Sequence, residues 1–162
     1  MSGSPPYVID TSALIDLEQE YRRKTFPTLW TRLEALASQG SLVCPSEVDR
    51  ELLQRSVDLQ KWIRQHGVVA PPQTVVAIAA DATALDAKYP ELKRGRRSAR
   101  PKPASADPWV IALARHLHGT VICNEKGSAT VQIVRAIPEV CLREGIRCLR
   151  LPEFFEDLGL SL

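Results

Sequence analysis

The stretch that decides the fold is residues 7–17, which read YVIDTSALIDL. Its first three residues are apolar, partly β-branched and preceded by two prolines, which is typical of a short buried strand. From residue 11 to residue 20 the apolar positions change to helical spacing. Asp10 stands at the junction. An acid that closes a buried strand is desolvated, so it is seldom placed there for stability.

The same alternation of strand and helix continues along the chain. Further strands are predicted at 42–44, 120–123 and 146–149, and further helices at 26–38, 46–57, 58–65, 74–88, 107–117, 138–144 and 152–158. Short, uniformly apolar strands separated by helices indicate a parallel sheet that is covered on both faces. We therefore expect one α/β domain over residues 1–162, a three-layer α/β/α arrangement with a short central parallel sheet, similar to Rossmann-like folds.

The composition limits the class of protein. With 44% hydrophobic and 25% charged residues, it is typical of a soluble globular domain. No apolar run approaches the roughly 20 residues of a membrane span. Residues 1–6 have no basic start and no apolar segment, so a cytoplasmic location without membrane contact is expected. The four cysteines lack zinc-ligand spacing, which favours reduced, structural thiols.

Charge is concentrated in one stretch. The net charge is only +2, but residues 93–102 read KRGRRSARPK, with six bases and no acid. Removing those six from the 21 bases leaves 15 against 19 acids. We predict a loop over about 90–105, which either contacts nucleic-acid phosphates or is a solvated surface loop. Its candidate nucleic-acid-binding residues are Arg94, Arg96, Arg97 and Arg100.

Acidic side chains follow the predicted strands. In parallel sheets, ligands bind beyond the carboxyl ends of the strands. The polar residues expected at this edge are Asp10, Ser12, Glu47, Glu51, Asp107, Asn124 and Glu125. Clustered carboxylates repel one another unless a cation neutralises them, and Mg²⁺ or Mn²⁺ prefers such oxygen ligands. This arrangement suits the hydrolysis of a phosphodiester bond.

Several of these residues have structural alternatives. Asp107 before Pro108 also has the pattern of a helix N-cap. Glu47 and Glu51 lie one turn apart and could form a solvated helix face. A phosphotransferase of the haloacid-dehalogenase type also begins with an acid after its first strand. That chemistry needs a second aspartate two residues later, where Ser12 stands.

The quoted stretch resembles the opening of PIN-domain proteins. The segments VDREL, ADPWVIALA and TVICNEK follow in the order of that family, and the resemblance covers residues 7–155. TFPTLWTRLEAL, LVCPSEVDREL and IPEVCLREGIRCLRLPEFF are similar to a PIN-like group of uncharacterised bacterial and archaeal proteins.

The resemblance implies a metal-dependent endoribonuclease that acts as the toxin of a toxin–antitoxin pair. It implies an RNA substrate, an antitoxin partner and a homodimer. Asp10, Glu51 and Asp107 match the metal-ligating catalytic acids, and Ser12 matches a supporting position, with Asn124 as a second supporting candidate. Glu125 stands where the family has an aspartate. This departure leaves the fourth ligand and a second metal open, so the alternative is an inactive nucleic-acid-binding or regulatory module.

Overall fold

The computed structural model describes residues 3–93, 105–125 and 137–161. A four-stranded sheet forms the centre of this part, with the order β2-β1-β3-β4. The strands are β1 (Tyr7–Ile9), β2 (Leu42–Val43), β3 (Thr120–Ile122) and β4 (Cys148–Leu149). Every neighbouring pair is parallel. The predicted α/β class with a short parallel sheet between helices is therefore confirmed.

Eight α-helices occur in the described ranges. They are α1 (Thr11–Glu20), α2 (Pro27–Ser38), α3 (Ser46–Arg55), α4 (Val57–Gln65), α5 (Pro72–Lys88), α6 (Asp107–Leu117), α7 (Ile137–Glu144) and α8 (Leu151–Asp157). Their bounds agree with the predicted ones to within two residues. Strand β1 has the predicted bounds, whereas β2, β3 and β4 are shorter than predicted, because the runs at 42–44, 120–123 and 146–149 each include residues outside the ladder.

The predicted basic loop lies mostly outside the described residues. Its first part is a short 3₁₀ helix, Pro90–Lys93. Arg94, Arg96, Arg97 and Arg100 all fall in the range 94–104, which the structure does not describe. Their predicted contact with nucleic acid therefore stays a prediction.

The core explains why the strands are apolar throughout. Val8, Ile9, Val121 and Ile122 are fully buried, because helices cover both faces of a parallel sheet. Helix α6 is buried along most of its length, as its nearly continuous apolar sequence predicts.

One close backbone approach aligns β3 with β1. The Thr120 amide donates to the Pro6 carbonyl at 2.9 Å. A Cβ atom on Gly119 would come within 2.5 Å of that same oxygen, so only glycine fits at this position. The contact sets the register in which β1 and β3 end at the same edge of the sheet.

The described residues also bear on two expectations from the composition. None of the helices in the described ranges is long and apolar enough to cross a membrane.

All four cysteines are free, and three are buried, namely Cys44, Cys123 and Cys141. Cys148 is partly exposed.

Candidate metal centre

The carboxyl ends of β1 and β3 bring two acids to one edge of the sheet. Ile9 is paired with Ile122, so Asp10 and the residues after β3 leave the sheet side by side. The Asp10 amide donates to the Ile122 carbonyl at 2.9 Å and extends this pairing by one step. Glu125 follows three residues after the end of β3 and reaches the same place.

Asp107 reaches this edge from the start of α6. The N-cap of this helix is Ala106, which makes no side-chain capping bond, and Asp107 is the first helical residue. The alternative in which Asp107 caps the helix is therefore wrong. Its amide donates to Ser105 Oγ at 3.1 Å, and its carboxylate belongs to the acidic cluster.

Three carboxylates converge closely enough to hold one ion. One oxygen each from Asp10, Asp107 and Glu125 lies within 4.8 Å of the other two. Two ligands on opposite sides of Mg²⁺ are about 4.2 Å apart, since each Mg–O bond is about 2.1 Å. Adjacent ligands on the same ion are about 3.0 Å apart, so the cluster could hold a divalent ion once its side chains bring neighbouring oxygens to that distance.

Asp10 has one oxygen with partners and one without. Oδ2 accepts from Ser12 Oγ at 2.9 Å and from the Ser12 amide at 3.4 Å, and the Cys123 thiol lies 3.7 Å away. Oδ1 is buried and has no hydrogen-bond partner among the described residues. The side chain is only 2% exposed. Leaving a buried carboxylate oxygen unpaired is costly, and a cation is the ligand that would satisfy it.

Burial and the mutual repulsion of the acids dominate the electrostatics of the cluster. Burial, followed by the negative charges of Glu125 and Glu51, raises the pKa of Asp10 to about 7. The hydrogen bond from Ser12 opposes this shift. Burial, and then the charges of Asp10, Glu125 and Glu51, raise the pKa of Asp107 well above its ordinary value. A bound cation would reverse these shifts.

Glu51 lies beside the cluster but is not one of its three members. Its Oε2 accepts from the Thr11 hydroxyl at 2.6 Å, and its Oε1 accepts from the Ala106 amide at 2.8 Å. Its predicted role as a metal ligand stays a prediction. The solvated face expected for Glu47 and Glu51 is wrong for Glu47, which is 8% exposed and accepts from Ser46 Oγ.

The two predicted supporting residues contact the site in different ways. The Ser12 hydroxyl donates to Asp10 and accepts from the Asn124 amide at 3.2 Å. The Asn124 side chain donates to Asp16 at 2.6 Å and accepts from the Leu151 amide at 3.3 Å. Asn124 thus ties the end of β3 to α1 and α8 and directs no side-chain bond toward Asp10.

Sequence reasoning gave no site role to three residues that contact the acids. Thr11 binds Glu51, Ser105 binds the Asp107 backbone, and Cys123 contacts Asp10. Ser105 had a local signal, because its hydroxyl lies two positions before Asp107, whereas the contact of Thr11 with Glu51 spans 40 residues of sequence. The contact of Cys123 had none, since it spans 113 residues of sequence.

The chain belongs to the family described as "Domain of unknown function (DUF4411)", which matches residues 7–162. That description names no activity. No curated protein matches the chain.

Proposed function

We propose that this member of the DUF4411 family is a divalent-metal-dependent nuclease that hydrolyses phosphodiester bonds. One observation carries the proposal: Asp10 Oδ1 is buried without a partner among the described residues, within a cluster of three carboxylates. If Asp10 served only the fold, its buried Oδ1 would be expected to accept a hydrogen bond. The raised pKa values of Asp10 and Asp107 support the same conclusion.

Asp10, Asp107 and Glu125 would hold the ion, and Ser12 orients Asp10 through its hydroxyl. Mg²⁺ or Mn²⁺ suits this all-oxygen donor set. Such an ion, when bound, activates a water molecule and neutralises charge on phosphate oxygens. The burial of Asp10 strengthens its interaction with a cation, because little water screens the charge.

The contacts of Asp10 favour a role as a metal ligand over a role as a nucleophile. Ser12, two residues later, offers a hydroxyl and not the acid that a phosphotransferase of that type requires. The Ser12 hydroxyl and amide both bind Asp10 Oδ2, so Ser12 positions the carboxylate. These contacts favour Asp10 as a ligand over Asp10 as an attacking group.

We propose RNA as the substrate on the basis of the PIN resemblance and the basic stretch 93–102. A role as a toxin with an antitoxin partner, a homodimeric state and a cytoplasmic location rest on that resemblance and on composition. The phosphodiester chemistry rests on the acidic cluster. The phosphodiester chemistry and the biological role can therefore be tested separately.

The decisive experiment measures cleavage of labelled single-stranded RNA and DNA with Mg²⁺ or Mn²⁺, comparing wild type with Asp10→Asn. Asparagine retains the shape of the side chain and removes its charge. We expect the rate to fall at least about a hundredfold, as for the loss of a main electrostatic contact. Asp58→Asn is the matched control, because Asp58 is an exposed acid on α4.

Metal-dependent cleavage that is undiminished in Asp10→Asn would overturn the proposal. A wild-type protein that binds Mn²⁺ but cleaves neither nucleic acid would favour the inactive nucleic-acid-binding module. Cleavage of DNA in preference to RNA would retain the chemistry and change the substrate.

A further inference from the structure

We infer that Glu51 is a positioning residue whose carboxylate joins the chain segment of Asp10 to that of Asp107 and holds both acids at metal-binding distance. The inference rests on the proposed metal site and departs from the expectation that Glu51 is itself a ligand. It assigns Glu51 to the organisation of the site, with Asp10, Asp107 and Glu125 left as the ligands.

The two hydrogen bonds of Glu51 reach both segments. Thr11, which donates to Oε2 at 2.6 Å, directly follows Asp10. Ala106, whose amide donates to Oε1 at 2.8 Å, directly precedes Asp107. Fixing the residue next to each aspartate fixes where that aspartate enters the cluster, because neighbouring Cα atoms are always about 3.8 Å apart.

Glu51 comes from a third part of the chain, helix α3, and is 40 residues from Thr11 and 55 from Ala106. Both partners are buried, Thr11 at 5% and Ala106 at 0% exposure. A buried amide that loses its acceptor is costly, and hydrogen bonds to an ionised carboxylate are among the strongest in proteins. The bridge therefore resists the separation of the two segments.

The geometry of the acids also distinguishes Glu51 from the ligands. Each of the three clustered acids offers an oxygen within 4.8 Å of the other two, and Glu51 is outside that set. If Glu51 turned toward an ion at the cluster, the Ala106 amide or the Thr11 hydroxyl would lose a bond. A Glu51 that must turn to reach the ion and a Glu51 that stays in the bridge therefore differ in what happens to the Ala106 amide when metal binds.

The main test is hydrogen exchange at the Ala106 amide, followed by NMR in metal-free protein and with saturating Mg²⁺. We expect protection of this amide to persist when Mg²⁺ binds. A fall of about fivefold or more, the size expected for one lost hydrogen bond, would overturn the inference. The Ala70 amide, which donates to Cys44 O at 2.8 Å, is the control for overall opening.

A second test breaks the bridge without changing any charge. Thr11→Val removes the hydroxyl and keeps the shape, whereas Thr11→Ser keeps the hydroxyl. We expect Thr11→Val to weaken Mg²⁺ binding at least about tenfold and to lower protection at Ala106, and we expect Thr11→Ser to retain both. Equal Mg²⁺ affinity in wild type and Thr11→Val would overturn the inference.

A third variant guards against misfolding of Thr11→Val. Glu51→Gln preserves both bonds, because the Thr11 hydroxyl can accept from the new amide as well as donate. Glu51→Gln should therefore keep the Ala106 amide protected from hydrogen exchange, whereas Glu51→Ala should not. An equal loss of protection at Ala106 in the two variants would refute the bridge. If wild type binds no Mg²⁺ while Glu51→Ala still exposes the Ala106 amide, the bridge stands and the proposed metal chemistry fails.

Discussion

Two groups of carboxylates lie toward opposite ends of α6 and differ in their partners. Asp107 belongs to the acidic cluster at the first residue of the helix. Arg115 lies eight residues on, about 12 Å along the axis. There it donates to Asp81 and Glu144, each at 2.8 Å. Glu144 also accepts from Lys88 at 2.9 Å.

The pKa values of the two groups move in opposite directions. The hydrogen bond from Lys88 and then that from Arg115 lower the pKa of Glu144 to about 2, although burial opposes them. The pKa of Asp10 is raised to about 7. No lysine or arginine in the described ranges forms an ion pair with Asp10 or Asp107.

Glu144 is neutralised by cations within the fold, whereas Asp10 and Asp107 have no cationic partner in the described ranges. Glu144 ties α7 to α5 and α6 through paired charges. Asp10 is buried and Asp107 is half-buried near like charges, which destabilises their ionised forms. Such a cost is expected where function requires it. The positive end of the α6 dipole, which lies beside Asp107, reduces this cost only in part.

The largest expected difference between the two groups of acids is that a bound metal ion should stabilise the fold through the acidic cluster and not through Glu144. Mg²⁺ or Mn²⁺ at a hundred times its dissociation constant should raise the free energy of unfolding by about 2.7 kcal/mol. Thermal melting in EDTA and in metal measures the effect. Asp10→Asn should lose the metal response and, in EDTA, should melt above wild type because one buried charge is gone. A metal response retained in Asp10→Asn would contradict the assignment of the cluster.

Breaking the paired group should have a smaller effect on stability. Glu144→Gln should lower the free energy of unfolding by about 1 kcal/mol, since Lys88 is exposed and Arg115 is partly exposed, so that water screens their charges. Urea unfolding measures the change. Glu156→Gln, an exposed acid on α8, should change stability by less than about 0.5 kcal/mol. The metal response should survive in Glu144→Gln, and its loss would show that the two groups are coupled.

A further effect is the pH dependence of stability in metal-free protein, which should have opposite signs for the two groups. Asp10 binds its proton more tightly when folded, so its contribution is full below about pH 3.8 and is lost as pH rises through about 7. Glu144 contributes fully above about pH 4.5 and loses its contribution as pH falls toward 2.

Each slope is at most about 1.4 kcal/mol per pH unit. Urea unfolding across pH 3–8 should show the advantage of Asp10→Asn over wild type growing with pH. The deficit of Glu144→Gln should shrink toward acid. An advantage of Asp10→Asn that does not vary with pH would mean that Asp10 titrates normally.

The sequence by itself determined the elements and their class. Helix α1 has the predicted bounds, and the other described elements agree with their predictions to within a few residues, because apolar spacing is a local property of the chain. The sequence also singled out Asp10. An acid at the end of a buried strand loses its hydration, and this cost does not depend on which other segments pack around it.

Only the tertiary structure decided which acids meet and in what state. Local pattern could not choose between a helix cap and a cluster member for Asp107, because both begin a helix in the same way. It could not find that Glu51 binds Thr11 and Ala106, or that Asp10 Oδ1 lacks a partner among the described residues. These contacts join residues far apart in the sequence, and the pairing of β1 with β3 and the docking of α3 and α6 bring them together.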